Sequence, residues 1–393
     1  MPIDLTAHTD AGARLVARAE ALVPELAGRA EVHDRDGSYP FEAIDALKRG
    51  GFFVAPVPAS LGGLGVWSAH DLVVASSRLA RGDASVAIGV NMHLVAVLNM
   101  ERRRQVAVAT GADRRARAYG LALARIAEHG VVLAAAISER GQDLTRPATR
   151  ATRTPSGWRI DGRKLFCTGS PAATVLYTSV SFVGEDGGER YGYAMVPADA
   201  EGVTVHGDWD ALGMRASGSH SVTFDAVALP AAALRGGFPV GDADGYMSRN
   251  LNAGLFHASA SLGIAEAAQE QALQAARRAE DARSRALVAE SAMDLSAARG
   301  ALSRAAQLVD ERRENVAALF AEAQAAKTFT NDAASRVVDR ALALVGGAGY
   351  MSTHPLARAY RDVRAGAFMH PLGANRAYDL VGRVALGADP AIH

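Results

Sequence analysis

From Gly157 to Gly169 the chain reads GWRIDGRKLFCTG. Trp158, Ile160 and Phe166 suit a pleated surface, and glycines open and close the run, so it predicts a β-strand. Similar runs lie on either side: VVLAAAISERG (Val131–Gly141), TVLYTSVSFVG (Thr174–Gly184), ERYGYAMVPA (Glu189–Ala198) and SVTFDAVALP (Ser221–Pro230). All are short, rich in β-branched and aromatic residues, and separated by Gly, Asp or Pro. Together they predict an antiparallel β-barrel domain over residues 131–235.

The texture changes on both sides of this block. DAGARLVARAEALVPELAGRAEVHD (Asp10–Asp34) is Ala-rich, with apolar positions at helical spacing. SAHDLVVASSRLARGDASVAIGVNMHLVAVLNM (Ser68–Met100) reads as two helices split at Arg81-Gly82-Asp83. Residues 1–130 therefore form an N-terminal all-α domain. Long Ala-rich periodic stretches resume after Gly237 and predict a four-helix bundle over 236–393. The fold class is mainly α with a central β-domain.

Composition narrows the function. With 42 basic and 42 acidic residues in 393 the formal charge is zero, which argues against a nucleic-acid partner. The single cysteine, Cys167, allows no intrachain disulfide and suits a reducing compartment. No run of about 20 apolar residues stands out and the N-terminus lacks a basic-then-apolar leader, so no membrane segment and a cytoplasmic location are expected. The chain has no phosphate-binding loop ending in Gly-Lys-Ser/Thr, no His-Glu-x-x-His and no Gly-x-Ser-x-Gly elbow.

Five spaced blocks remain. They are PASLGGLGVWSAHDLVVASSRLARGDAS (Pro58–Ser85), AISERGQD (Ala136–Asp143), the strand already quoted, WDALGMRASGSHSVTFDAVALP (Trp209–Pro230) and VGGAGYMSTHPLARAYRDVR (Val345–Arg364). In this order the chain resembles the acyl-CoA dehydrogenase superfamily of flavoproteins. The resemblance implies a flavin where the β-domain meets the helices. Ser138 and Thr168 fall where the family places hydroxyls near the flavin ring, and Phe166 falls at the aromatic position beside it. Gly346 and Gly347 belong to the surviving GGAGY motif and are carried over as cofactor contacts. From the local sequence alone, Ser138 and Thr168 are equally ordinary strand-end hydroxyls. Trp209 is a candidate pocket wall or a packing residue.

The departures from that family are informative. Its dehydrogenases carry a glutamate nine positions after the arginine of the Arg-Asp pair; counting from Arg361 reaches His370. The alternative glutamate position, early in the helix after the β-domain, falls near Ala253 and Gly254. Neither place holds a carboxylate. A histidine there resembles the flavin monooxygenase branch, which takes reduced flavin from a separate reductase and uses O2. In that branch His370 and a second histidine, His93, are expected to handle protons, a role suited to a group with an ordinary pKa near 6.5. His93 lies in an apolar helix, where a packing role competes with the functional one. His370 precedes Pro371, which biases it toward an extended loop conformation. Cys167 reads as a small packing residue.

The diphosphate grip of FAD-binding relatives, Arg-x-x-Phe-Gly and a later Gln, is missing from EDARSRALVAES (Glu280–Ser291), and Ala343 stands where a Gln often precedes the Gly pair. This tilts the cofactor toward FMN and leaves both flavins open. The charged group Arg358, Arg361, Asp362 and Arg364 reads as an ion-pair network at a helix end or interface. The resemblance also implies a homotetramer. The expected function is a flavin-dependent oxidoreductase, favoured as a monooxygenase acting with O2 on a small organic substrate. The alternatives are an acyl-thioester dehydrogenase with an atypical base and a non-catalytic scaffold.

Overall fold

The computed structural model describes residues 4–141, 143–234, 237–279, 281–312 and 315–392. The expected domain boundary at 235/236 lies outside them. Five helices precede the strands: α1 (Asp10–Asp36), α2 (Phe41–Arg49), α3 (Ala69–Gly82), α4 (Ala84–Ala109) and α5 (Asp113–His129). Eight strands follow: β1 (Leu133–Ala136), β2 (Arg150–Thr154), β3 (Gly157–Cys167), β4 (Val175–Val183), β5 (Glu189–Pro197), β6 (Val203–Val205), β7 (His220–Pro230) and β8 (Phe238–Pro239). The helices α6 (Ala243–Asn250), α7 (Ala253–Ala279), α8 (Ala282–Glu311), α9 (Val316–Val345), α10 (Pro355–Val363) and α11 (Ala374–Ala385) complete the chain.

Helix ends follow from capping chemistry. Thr9 caps α1 by accepting from the Gly12 amide, and Gly37 ends it in a left-handed conformation. At the Arg81-Gly82-Asp83 break, the Asp83 amide donates to the Leu79 carbonyl and closes α3. The Asp83 carboxylate then accepts from the Ser85 and Val86 amides and starts α4. One residue thus ends one helix and begins the next.

The sheet runs β6-β7-β3-β2-β4-β5-β8, with β1 paired to β4. It is antiparallel except where β4 meets β1 and β2, which are parallel. The wholly antiparallel sheet expected from the strand pattern is corrected there: the chain from β1 to β4 is long enough to return in the same direction. A bridge from Ser138 to Leu165 joins the end of β1 to β3, so β1, β4, β2 and β3 close into a ring. Leu176, Val180, Ala194, Val196, Ile160 and Phe224 fill its interior. Residues of opposite parity face outward.

The helical segments at the two ends of the chain share one hydrophobic core. Residues of α1, α3 and α4 pack with residues of α7, α8 and α9 in a single cluster. Small residues on α3 and α7 let these helices approach closely, as Gly263 does against Ser77 and Ala80. α4 is long and apolar enough to cross a membrane by length and composition, although the sequence reading found no such run. Its most apolar window is 72% buried inside the protein, which marks a core helix.

Candidate active site

The cleft is built from α4 and the sheet. α4 is buried for most of its length, yet Gly89, Met92, Val95 and Asn99 along one stripe stay partly exposed. Their spacing places them on one helix face. Opposite, the outer face of the sheet carries Ala135, Tyr177 and Met195 in one row, with Tyr193 two residues along β5. These too are partly exposed. From Gly89 to Asn99 the α4 stripe runs about 15 Å at the helical rise.

At one end of the stripe lies the rim formed by β1 and β3. Lys164 is fully buried and donates to the Ile137 carbonyl, to Ser179 at 2.9 Å and to Glu139 at 2.6 Å. Glu139 in turn accepts from the Ala148 and Thr149 amides. This network fixes the two strand ends that carry Ser138 and Phe166. Phe166 is 61% exposed and adopts a left-handed backbone, φ 53°. Its ring meets Trp209 edge-to-face at 5.8 Å. Trp209 is held by its indole N–H, which donates to the Met214 carbonyl at 2.9 Å. Thr168 Oγ1 is 2.9 Å from Ser219 Oγ, and Ser219 Oγ is 2.7 Å from Ser217 Oγ, so three hydroxyls form a chain. A side chain at Gly169 would sit 3.7 Å from the Gly89 carbonyl, which brings this rim to the start of the α4 stripe. Ser138, Phe166, Thr168 and Trp209 therefore gather at one rim.

At the other end lies His370, on the loop between Phe368 and α11. Its Nε2 donates to Asn250 Oδ1 at 3.1 Å, leaving Nδ1 with the lone pair. Asn250 follows Arg249, whose guanidinium lies over the Tyr193 ring, which links His370 to the sheet face. The loop is bracketed by donors: Lys327 Nζ bonds the carbonyls of Met369 and, at 2.6 Å, Leu372, while Tyr246 Oη bonds that of Pro371 at 3.2 Å. A Cβ at Gly254 would lie 3.1 Å from Gln324 Nε2, 3.2 Å from Lys327 Cδ and 3.5 Å from Pro371 Cδ. The two positions weighed as alternative sites for a carboxylate thus meet in space. They converge on Lys327, Gln324 and His257. Both amide atoms of Gln324 and Nδ1 of His257 are buried without a partner among the described residues.

Burial sets the protonation here. His370 is pushed down to about 3, first by desolvation and then by the Lys327 charge. His257 is held well below its ordinary value by burial and by the same lysine. Lys327 itself falls to about 7 through burial. His370 therefore stays neutral at neutral pH, which corrects the expectation that it exchanges a proton there. Lys327 is the group placed to titrate.

His93 departs further from expectation. Its Nε2 donates to the Phe53 carbonyl at 2.6 Å and its Nδ1 accepts from the Leu133 amide at 3.1 Å. It is fully buried and its pKa falls to about 4. Nε2 ties α4 to the turn at Phe53 and Nδ1 ties it to β1, so the structure gives it a packing role; Met92, one residue earlier, is partly exposed. Gly346 and Gly347 are exposed at the end of α9, about 28 Å along the helix from Lys327. The structure does not bring them to the cleft within one chain. Cys167 is buried and its thiol is pushed up to about 12, as a packing residue should be. Arg361 pairs with Asp34 at 2.5 Å, and Asp362 accepts from the Met214 amide at 2.6 Å, so this charged group pins α10 to α1 and to the loop before β7.

Family models for the N-terminal, middle and C-terminal domains of acyl-CoA dehydrogenases match residues 13–102, 133–227 and 245–375. The amino sugar nitrososynthase DnmZ of Streptomyces peucetius is 35% identical over 391 residues, covering 96% of this chain and 94% of its own. The chain belongs to the acyl-CoA dehydrogenase superfamily. Among solved structures, KijD3 in complex with FMN and dTDP-3-amino-2,3,6-trideoxy-4-keto-3-methyl-D-glucose has a TM-score of 0.89 at 31% identity, covering 98% of this chain and 96% of that one. FMN-bound TdsC of Paenibacillus sp. A11-2, a dibenzothiophene monooxygenase, has a TM-score of 0.85 at 25% identity, covering 96% and 99%.

As a member of this superfamily the chain is a flavin-dependent oxidoreductase. The rim fits a flavin ring. A left-handed backbone holds Phe166 largely exposed even with Trp209 against its ring, a costly arrangement that a flavin beside it would relieve. The hydroxyl chain beginning at Thr168 supplies donors and acceptors beside it. A side chain at Gly89 would meet no atom within 4 Å, so the space next to the rim is open. Lys327, Gln324, His257, Asn250 and Tyr193 were not found from sequence. One signal was available: the chain has only three lysines, Lys48, Lys164 and Lys327, against many arginines. Two of the three are fully buried at the two ends of this cleft.

Proposed function

We propose that the chain is a monooxygenase that uses reduced flavin from a separate reductase, and O2, to oxidise the amino nitrogen of a nucleotide-linked amino sugar. The observation that carries this reading is the meeting of Gly254 and His370. Where a dehydrogenase needs a carboxylate, both positions lack one, and an amine and two neutral imidazoles stand instead. An amine accepts oxygen only as the free base. A carboxylate would hold it as ammonium, whereas Lys327 opposes that charge. Neutral His370, oriented by Asn250, offers Nδ1 to an amine N–H and so aims the nitrogen lone pair.

The flavin, when bound at the rim, supplies the two electrons that O2 activation needs. The overall balance is one amine, one O2 and one reduced flavin giving hydroxylamine, water and oxidised flavin. The nitrososynthase relative and the amino-sugar complex of KijD3 support the substrate class.

The test mixes the protein with FMN, a flavin reductase, NADH, O2 and a dTDP-amino sugar, and follows the product by mass spectrometry. A product heavier by one oxygen, labelled from 18O2, is expected. Anaerobic bleaching of the flavin by acyl-CoA, with no oxygen transfer to amines, would instead establish a dehydrogenase that uses neutral His370 as its base.

A further inference from the structure

A pair of arginines beside the cleft has no acidic partner among the described residues. On α4, Arg102 pairs with Asp310 and Arg104 with Glu101 at 2.7 Å. Arg103 lies between them and forms no ion pair among the described residues. Arg249, on α6, forms none either. Both guanidinium groups stand over the Phe238 ring, with Cζ 5.9 Å and 5.3 Å from its centre. Arg249 lies 3.9 Å above Tyr193 and donates to Tyr177 Oη at 2.7 Å. Tyr177 and Tyr193 are themselves stacked at 4.9 Å.

This arrangement restrains a guanidinium without neutralising it. Stacking on an aromatic face fixes its plane and leaves most of its N–H donors free. The Nε of Arg249 is buried and has no acceptor among the described residues. A buried charged donor left unmade is costly, which favours an acceptor from outside the chain. Two fixed, unpaired guanidiniums suit a phosphate or diphosphate, which accepts forked bonds from both. The next residue, Asn250, orients His370, so an anion held here lies one residue from the group that faces the substrate.

We infer that Arg103 and Arg249, over the floor of Tyr177, Tyr193 and Phe238, form an anion subsite for the diphosphate of a nucleoside-diphosphate substrate. The inference rests on the reading of the cleft as a site for nucleotide-linked amines. The flavin phosphate is the competing source of the same chemistry, and the experiment separates the two.

Binding of thymidine diphosphate and of FMN is measured separately by calorimetry on the intact protein. The variants are Arg103→Gln and Arg249→Gln, each checked for fold by circular dichroism. Each substitution is expected to weaken thymidine diphosphate roughly tenfold or more and to leave FMN affinity unchanged. Arg103→Gln breaks no hydrogen bond among the described residues, so it keeps the test decisive if Arg249→Gln fails to fold. Unchanged thymidine diphosphate affinity in a folded variant, or wild-type protein that does not bind it, would overturn the subsite. Loss of FMN affinity alone would assign the arginines to the flavin. Binding as expected without oxygen transfer to an amine would sink the proposed reaction and leave the subsite standing.

Discussion

At the scale of single residues, one amino-acid type serves two purposes here, and its surroundings decide which. His93 and His370 are both neutral, but His93 spends both nitrogens on the backbone while His370 keeps Nδ1. The consequences can be measured. Unfolded histidine titrates near 6.5 and folded His93 near 4. Between those values the unfolded chain binds more protons, so stability rises with pH and is complete above the unfolded value. His93→Leu should remove up to about 1.4 kcal/mol per pH unit of that slope. It should also destabilise the protein at pH 7 by about 1–3 kcal/mol, because the Phe53 carbonyl and Leu133 amide lose their partner. Urea unfolding at several pH values checks both. The second prediction concerns Lys327. Its charged form is lost as pH rises through about 7. The pH profile of kcat/KM should show an inflection there that Lys327→Gln abolishes and His370→Gln retains at a lower rate. An inflection that survives in Lys327→Gln would assign it to the substrate amine.

At the scale of elements, the site depends on how closely helices approach one another. Gly263 of α7 faces α3, and a Cβ there would lie 2.3 Å from the Ser77 carbonyl and 2.6 Å from Ala80 Cβ. Ser259, one turn earlier, bonds Ser76 at 2.8 Å across the same contact. Gly263→Ala must push α3 and α7 apart, which should cost about 1–3 kcal/mol despite alanine's better helix propensity. Chemical denaturation measures it, and a stabilised variant would show that this contact gives way freely. The strands were legible because their alternation is local. The parallel placement of β1 and β2 beside β4 was not, because no residue in those strands records the direction of its neighbour.

At the scale of the whole molecule, charge ties distant segments together. Glu266 of α7 is buried and pairs with Arg81 of α3 and Arg299 of α8, each at 2.8 Å. Asp4 joins the same arginines at 3.0 Å and 3.2 Å. Glu266→Gln should destabilise by about 1–3 kcal/mol, since it leaves Arg81 and Arg299 to share the half-exposed Asp4; thermal unfolding checks it. We also propose that the chain assembles as a homotetramer through its C-terminal third. Tyr350, Phe368 and Leu386 there are 85%, 84% and 86% exposed, and apolar surface of this size calls for a partner. Light scattering should give four chains per particle and fewer for Phe368→Asp; a monomeric wild type would refute the assembly.

By itself the sequence determined the helix–sheet–helix order, the helix break at Arg81-Gly82-Asp83, and the motif positions of Ser138, Phe166, Thr168 and His370. These rest on interactions within a few residues or on spacings that survive in the chain. Only the tertiary structure decided that His93 turns into the core, that Gly254 and His370 meet, and that Lys327 lies beneath the loop carrying His370. It also left Arg103 without an ion pair among the described residues, between two paired neighbours. The physical reason is that protonation and pairing depend on burial and on groups brought from other elements, and neither is written in local sequence.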